Sequence, residues 1–169
     1  MKRPLNRLFL PAVALVLLVF CQVATAQSSM DFIALVDFAK RYAAAWSSGD
    51  PNELASLYAE DGSLTVNDGE PTVGRAAIAE MARGYMEAFP DMEVEMTAMQ
   101  GSGSGAEFHW RWTGTNSGPG GTGRRIDLIG YEEWTFSSDD LIQESNGHFD
   151  EALYRAQVGA AQPAEQASQ

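Results

Sequence analysis

The chain has 169 residues, with 23 Asp and Glu against 11 Lys and Arg, a formal charge of −12 at pH 7. Such an acidic protein is repelled by nucleic-acid phosphates and by anionic lipid surfaces, which argues against a nucleic-acid partner. With Cys21 as its one cysteine, the chain cannot form an internal disulfide.

The first residues have the three-part order of an export signal. Lys2, Arg3 and Arg7 form a basic start, residues 8–20 are an apolar run broken by Pro11, and Ala24-Thr25-Ala26 supplies a small-x-small cleavage pattern. The run is short of the roughly 20 apolar residues that a membrane span needs. Residues 1–26 are therefore expected to be a cleavable signal peptide, and the protein to be exported, periplasmic or secreted. Cys21 admits a second reading, a lipid-anchored form, although Phe20 is larger than the small residue that such signals favour before the cysteine. Removing 26 of 169 residues leaves 143, enough for one domain with a real core. It also removes three basic residues, taking the charge from −12 to −15.

Residues 30–48 carry helical spacing, with Phe32, Val36, Ala39, Ala43 and Trp46 on one stripe, and Ser28 and Ser29 are candidate caps. Gly49 ends that helix. Asp50-Pro51 then predicts an N-cap followed by proline in the first turn of a short helix through Leu54 and Tyr58. Residues 63–66 alternate weakly before the turn signal Asn67-Asp68-Gly69. Between Arg75 and Pro90, the residues Ile78, Met81, Ala82, Tyr85, Met86 and Phe89 make a third helical stripe.

The period then changes to two. Met92, Val94, Met96 and Ala98 alternate with polar residues, as do Phe108, Trp110 and Trp112, and then Ile126, Leu128, Gly130, Glu132 and Trp134. Turns at 101–105, 118–123 and 137–140 separate these segments from each other and from a last strand at 141–149. Residues 150–158 read as a closing helix. Residues 160–169 lack apolar mass and are expected to be a disordered tail. The predicted fold is α+β: three N-terminal helices packed on a strongly curved antiparallel sheet, forming a cone with an internal pocket, as one domain over 27–159.

Several segments carry a resemblance. They are Ala45-Trp46-Ser47-Ser48-Gly49-Asp50, Leu57-Tyr58-Ala59-Glu60-Asp61-Gly62, Val73-Gly74-Arg75 with Ile78, and Ala88-Phe89-Pro90-Asp91. Trp110 with Thr113-Gly114-Thr115, Gly130-Tyr131-Glu132 with Trp134, and Leu141-Ile142-Gln143-Glu144 continue it. In order and spacing the chain resembles the SnoaL-like polyketide cyclases of the nuclear transport factor-like superfamily. The resemblance implies a pocket enzyme of the cyclase, isomerase or hydrolase kind without a cofactor, commonly a homodimer. It puts the family's acid/base aspartate at Asp150. Here Asn146 stands where the family has a tryptophan, and Ser145 where many members have a histidine.

Strand parity places Ile142, Glu144, Asn146, His148 and Asp150 on one face, which the resemblance turns inward. Asp150 has two readings, a pocket acid/base or the N-cap of the helix that begins at Glu151. His148 is a candidate proton-transfer partner, or a hydrogen-bonded structural histidine. Glu132 sits on an otherwise apolar face, where a lone carboxylate tends toward a raised pKa; an edge position reached by water is the alternative. Trp110, Trp112 and Trp134, with Trp46, Tyr58 and Asn146, are the candidate substrate contacts, although packing alone also uses such residues. With His109 and His148 as its two histidines, and those not at metal-ligand spacing, the sequence predicts no metal site. Ile129 and Tyr131 on the outer sheet face point to a dimer surface.

Overall fold

The computed structural model describes residues 30–102 and 105–159. The expected signal peptide and C-terminal tail lie outside the described residues. Helix α1 spans Phe32–Ser47, and its cap is Asp31, whose carboxylate accepts the Ala34 N–H at 2.9 Å. The buried stripe of α1 is Leu35, Phe38, Ala39, Tyr42, Ala43 and Ala45, so Phe32 faces solvent. Helix α2 is a single short turn, Pro51–Ala55, capped by Asp50 with Pro51 at its start, as the Asp-Pro pair predicts. It stops before Tyr58, which instead opens strand β1, Tyr58–Val66. After the two-residue β2, Thr72–Val73, helix α3 runs over Arg75–Ala88.

Strands β3 (Glu93–Ser102), β4 (Gly105–Thr115), β5 (Arg125–Phe136) and β6 (Ile142–Phe149) form the expected antiparallel meander. Helix α4, Glu151–Val158, follows directly. The described sheet has six strands in the order β2-β1-β6-β5-β4-β3 and is mixed rather than wholly antiparallel, because β1 lies parallel to β6. The weak alternation of β1 carries no mark of this partner, about 80 residues away. The pairing is held at its far end by the turn at Asn67, whose N–H donates to the Gly147 carbonyl at 2.7 Å. Its side-chain oxygen accepts the Phe149 N–H at 2.9 Å. Asn67 adopts a left-handed conformation (φ 49°), as its turn signal allows.

One irregularity sets which residues of β6 face inward. Thr135 pairs with Glu144, while the next residue, Phe136, pairs with Ile142, so Gln143 is an extra residue on β6. Such a bulge inverts the alternation on either side of it. Ile142 is buried before the bulge, and Ser145 and Gly147 are buried after it. The inward placement of Glu144, Asn146, His148 and Asp150 expected from simple parity is therefore corrected.

The inner sheet face and α1 share an aromatic core. Phe108 and Trp134 stack at 4.8 Å, and Tyr42 meets Trp134 edge-on at 4.9 Å. Each such pair adds roughly 0.5–1.5 kcal/mol beyond the area it buries. Gly130 belongs to this packing. A Cβ there would lie 2.4 Å from the Trp110 ring and 2.4 Å from the His148 carbonyl oxygen, so only glycine lets the indole lie flat across β5. Gly130→Ala is expected to destabilise the protein by about 1–3 kcal/mol through overpacking. Urea unfolding measures this, and an unchanged midpoint would show that Trp110 can move aside without loss.

Candidate active site

Glu132 points from the middle of β5 into the apolar interior and is 6% exposed. Its Oε2 accepts three hydrogen bonds: from the Tyr42 hydroxyl at 2.8 Å, the Trp134 indole N–H at 3.1 Å and the Ser145 hydroxyl at 2.5 Å. Tyr42 and Tyr58 are joined through their hydroxyls at 2.8 Å. Since the single Tyr42 proton goes to Glu132, Tyr58 must be the donor to Tyr42. The proton chain thus runs Tyr58 to Tyr42 to Glu132. It draws on β1, α1 and β5, with β6 adding Ser145.

Two effects oppose each other at this carboxyl. Desolvation favours the neutral acid, and the three donors favour the carboxylate. Burial is the larger, and the Glu132 pKa is raised above the ordinary glutamate value. Burial and the neighbouring Glu132 charge push both Tyr42 and Tyr58 well above the usual phenol value, so both remain neutral donors. With Oε2 occupied by three donors, Oε1 takes no part in these bonds. It is the oxygen available to hold or release a proton.

Glu132 also lines a cavity of about 60 Å³ that opens to solvent. Its walls come from several elements: Trp46 of α1, Leu64 and Val66 of β1, Tyr85 of α3, Trp110 and Trp112 of β4, and Phe149 of β6. Gly147 leaves the space beside the carboxyl clear, since a Cβ there would come within 3.4 Å of the Glu132 Cγ. Tyr154 of α4 stacks on Trp112 at 5.8 Å and backs this wall. Trp110 and Trp112 are 7% and 6% exposed, and neither indole N–H reaches a hydrogen-bond acceptor among the described residues. A buried donor left unpaired costs about 1–3 kcal/mol. The enclosed volume is below the roughly 300–1,000 Å³ of drug-sized pockets, so it fits a small ligand or one end of a longer one.

The structure gathers six of the nine residues singled out from sequence around this carboxyl and cavity: Glu132, Trp134, Tyr58, Trp46, Trp110 and Trp112. The other three lie apart. Asn146 and His148 pair with Glu133 and Tyr131 on the outer sheet face, where Ile129 is 73% exposed. His148 stacks on Tyr131 at 4.8 Å, and its Nε2 lies 3.5 Å from Glu133. Asp150 is exposed and caps α4, accepting the Leu153 N–H at 2.8 Å. Asp150 and His148 border a second, open hollow with Asn67 and Tyr131. Among the described residues there is no group of three side chains suited to a metal ion.

Two members of the Glu132 network were not among the sequence candidates. Tyr42 lies one position off the stripe read from Phe32. Starting the stripe at Leu35 and Phe38 would have found it. Ser145 is visible in the sequence as a departure from the family pattern, but the bulge at Gln143 hides its inward direction.

The sequence model of the SnoaL-like domain matches residues 39–145. Among solved structures, TsrD from Streptomyces laurentii is 19% identical, covering 78% of this chain and 99% of that one, with a TM-score of 0.68. A hypothetical protein with a ketosteroid isomerase-like fold from Catenulispora acidiphila, in complex with trimethylamine, is 19% identical over 74% of this chain and 94% of that one (TM-score 0.66). The epoxide hydrolase/cyclase-like enzyme SalBIII, connected with pyran ring formation in salinomycin, is 15% identical over 69% and 91% (TM-score 0.60). Comparison with curated proteins gives no significant match.

The raised Glu132 pKa fixes the sign of a pH effect. Between the ordinary glutamate value and the raised one, the unfolded chain releases a proton that the folded protein keeps, so stability falls as pH rises. Glu132→Gln lacks this contribution. The stability of wild type relative to Glu132→Gln is therefore expected to decline from acid toward neutral pH. Asp91 and Asp127, whose pKa values are lowered by hydrogen bonds to Thr115 and Arg111, act oppositely but equally in both proteins. Urea titrations across that range measure the difference; a constant or growing difference would contradict the assignment.

Proposed function

Because the chain belongs to the SnoaL-like domain family, and because its buried carboxyl faces a small apolar cavity, we propose an exported enzyme that needs no cofactor and transfers protons on a small, largely apolar substrate. The reaction class is cyclisation, isomerisation or hydrolysis, and the default substrate by family analogy is a carbonyl compound with an acidic α-hydrogen. In this reading the helices close a curved sheet into a cone, and the outer face bearing Ile129 and Tyr131 joins two copies in a homodimer.

The observation that carries the proposal is Glu132. A carboxyl whose pKa burial raises above the ordinary glutamate value holds its proton to higher pH than an exposed one, which suits it to general acid/base catalysis. Protonated on Oε1, it delivers a proton to a carbonyl or epoxide oxygen. Ionised, it removes an α-hydrogen. Tyr42, Trp134 and Ser145 keep Oε2 fixed in either state and orient Oε1. The three indoles of Trp46, Trp110 and Trp112 hold the apolar body of the substrate. Asp150 and His148, on the other side of the sheet, form a competing pair for the same role at the second hollow.

A second reading, a ligand carrier without turnover, draws on the same apolar cavity. Both readings and both carboxylates are separated by one comparison, after a screen of small ketones, lactones and epoxides finds an active compound. Glu132→Gln is expected to lower kcat by roughly 10²- to 10⁴-fold, the usual contribution of an acid/base group. Asp150→Asn is expected to leave both turnover and stability nearly unchanged, since Asn caps a helix about as well as Asp. The reverse pattern would move the chemistry to Asp150. Co-purification of a ligand that no assay converts would favour the carrier.

A further inference from the structure

Within the cavity lining, Trp110 and Trp112 stand out by what their polar atoms do. Both indoles are more than nine-tenths buried, both line the cavity beside Glu132, and both N–H groups lack an acceptor among the described residues. Trp134, on the adjacent strand β5, is as deeply buried, yet its indole N–H has an acceptor, Glu132 at 3.1 Å. Buried polar groups are almost always paired, and an unpaired one needs an explanation, such as a bound group that completes the bond.

From this pairing we infer that Trp110 and Trp112 form a two-donor site for oxygen atoms of the ligand, and that they select neutral, acceptor-bearing molecules over donors and over plain hydrocarbons. The inference rests on the ligand cavity of the proposed function and gives it a selectivity rule. An indole N–H can only donate, so the occupant must bring acceptors. The two residues are alternate positions on β4 and share the sheet face that the cavity lies against. An ammonium group would turn its own donors against them. A carboxylate would enter an apolar, acidic-chain interior with no positive side chain on the cavity wall to receive it. A ketone or ester oxygen meets the requirement without bringing charge. The same contact would hold a carbonyl compound in one orientation relative to Glu132.

The test uses whole protein labelled with ¹⁵N at tryptophan, with indole resonances assigned by Trp110→Phe and Trp112→Phe. Cyclohexanone is the probe, with methylenecyclohexane and cyclohexylamine as the hydrocarbon and donor comparisons. Cyclohexanone is expected to shift the Trp110 or Trp112 indole proton downfield while leaving Trp134 in place, and to bind more tightly than either comparison compound. Each Phe variant, checked for native near-ultraviolet dichroism, is expected to weaken ketone binding roughly three- to tenfold more than it weakens hydrocarbon binding, the range of one neutral hydrogen bond. No ketone-dependent shift of either indole, whether from lack of binding or from binding elsewhere, would overturn the inference. So would equal affinity for all three probes. The wild-type spectrum decides the matter even if a variant fails to fold. Indole shifts together with full activity in Glu132→Gln would keep this donor site and reject the acid/base reading. An inactive Glu132→Gln with unmoved indoles would do the opposite.

Discussion

A carboxyl group in an apolar interior must be met by donors or lose its charge, and Glu132 is met by three at a single oxygen. These come from α1, β5 and β6, and Tyr58 of β1 stands behind Tyr42. The network therefore joins the first helix to three neighbouring strands at one point. Removing one of these donors leaves a buried polar group short of a hydrogen bond, which costs about 1–3 kcal/mol, whereas an exposed pair such as Arg111–Asp127 is shared with water and holds nothing comparable together. The rest of the inner face is arranged around this point. Phe108 stacks on Trp134, Gly130 lets Trp110 lie across β5, and Gly147 keeps the space beside the carboxyl open. A purely structural interior would gain from an apolar residue at position 132. Retaining a carboxyl there, with one oxygen fixed by three donors and the side chain lining a cavity, is what carries the proposed proton-transfer role.

Much of the architecture is legible from periodicity. The meander β3 to β6, the Asp50-Pro51 helix start, the turn at Asn67 and the cap at Asp150 all follow from local patterns that the structure repeats. What is not legible is non-local. The parallel partner of β1 leaves no trace in a nine-residue strand, and the sheet is mixed for that reason. The candidate site shows the same division. Glu132 and the tryptophans follow from strict alternation in β4 and β5. In β6 a single extra residue, Gln143, reverses the alternation, bringing Ser145 inward and sending Asn146 and His148 outward. Tyr42 is hidden differently, because the exposed Phe32 shares helical spacing with Val36 and Ala39 and draws the stripe one position away from it.

The SnoaL-like fold hosts unrelated activities, so membership alone does not choose among them. In this chain the choice rests on chemistry at the pocket. The aspartate at the family's acid/base position is engaged as a helix cap at the surface, whereas an interior glutamate combines burial, fixed hydrogen bonds and contact with the cavity. A polar group has been set on the neighbouring strand at a place that the apolar walls enclose.

Burial leads Glu132 to hold its proton to higher pH than an ordinary glutamate does. The direct measurement is a pH titration of the side-chain carboxyl carbon in ¹³C-glutamate-labelled protein, with the resonance assigned by its loss in Glu132→Gln. The expected midpoint lies above the roughly 4.3 of an unperturbed glutamate. A midpoint at or below that value would mean that the three donors outweigh burial, leaving a structural carboxylate with no special capacity to transfer a proton.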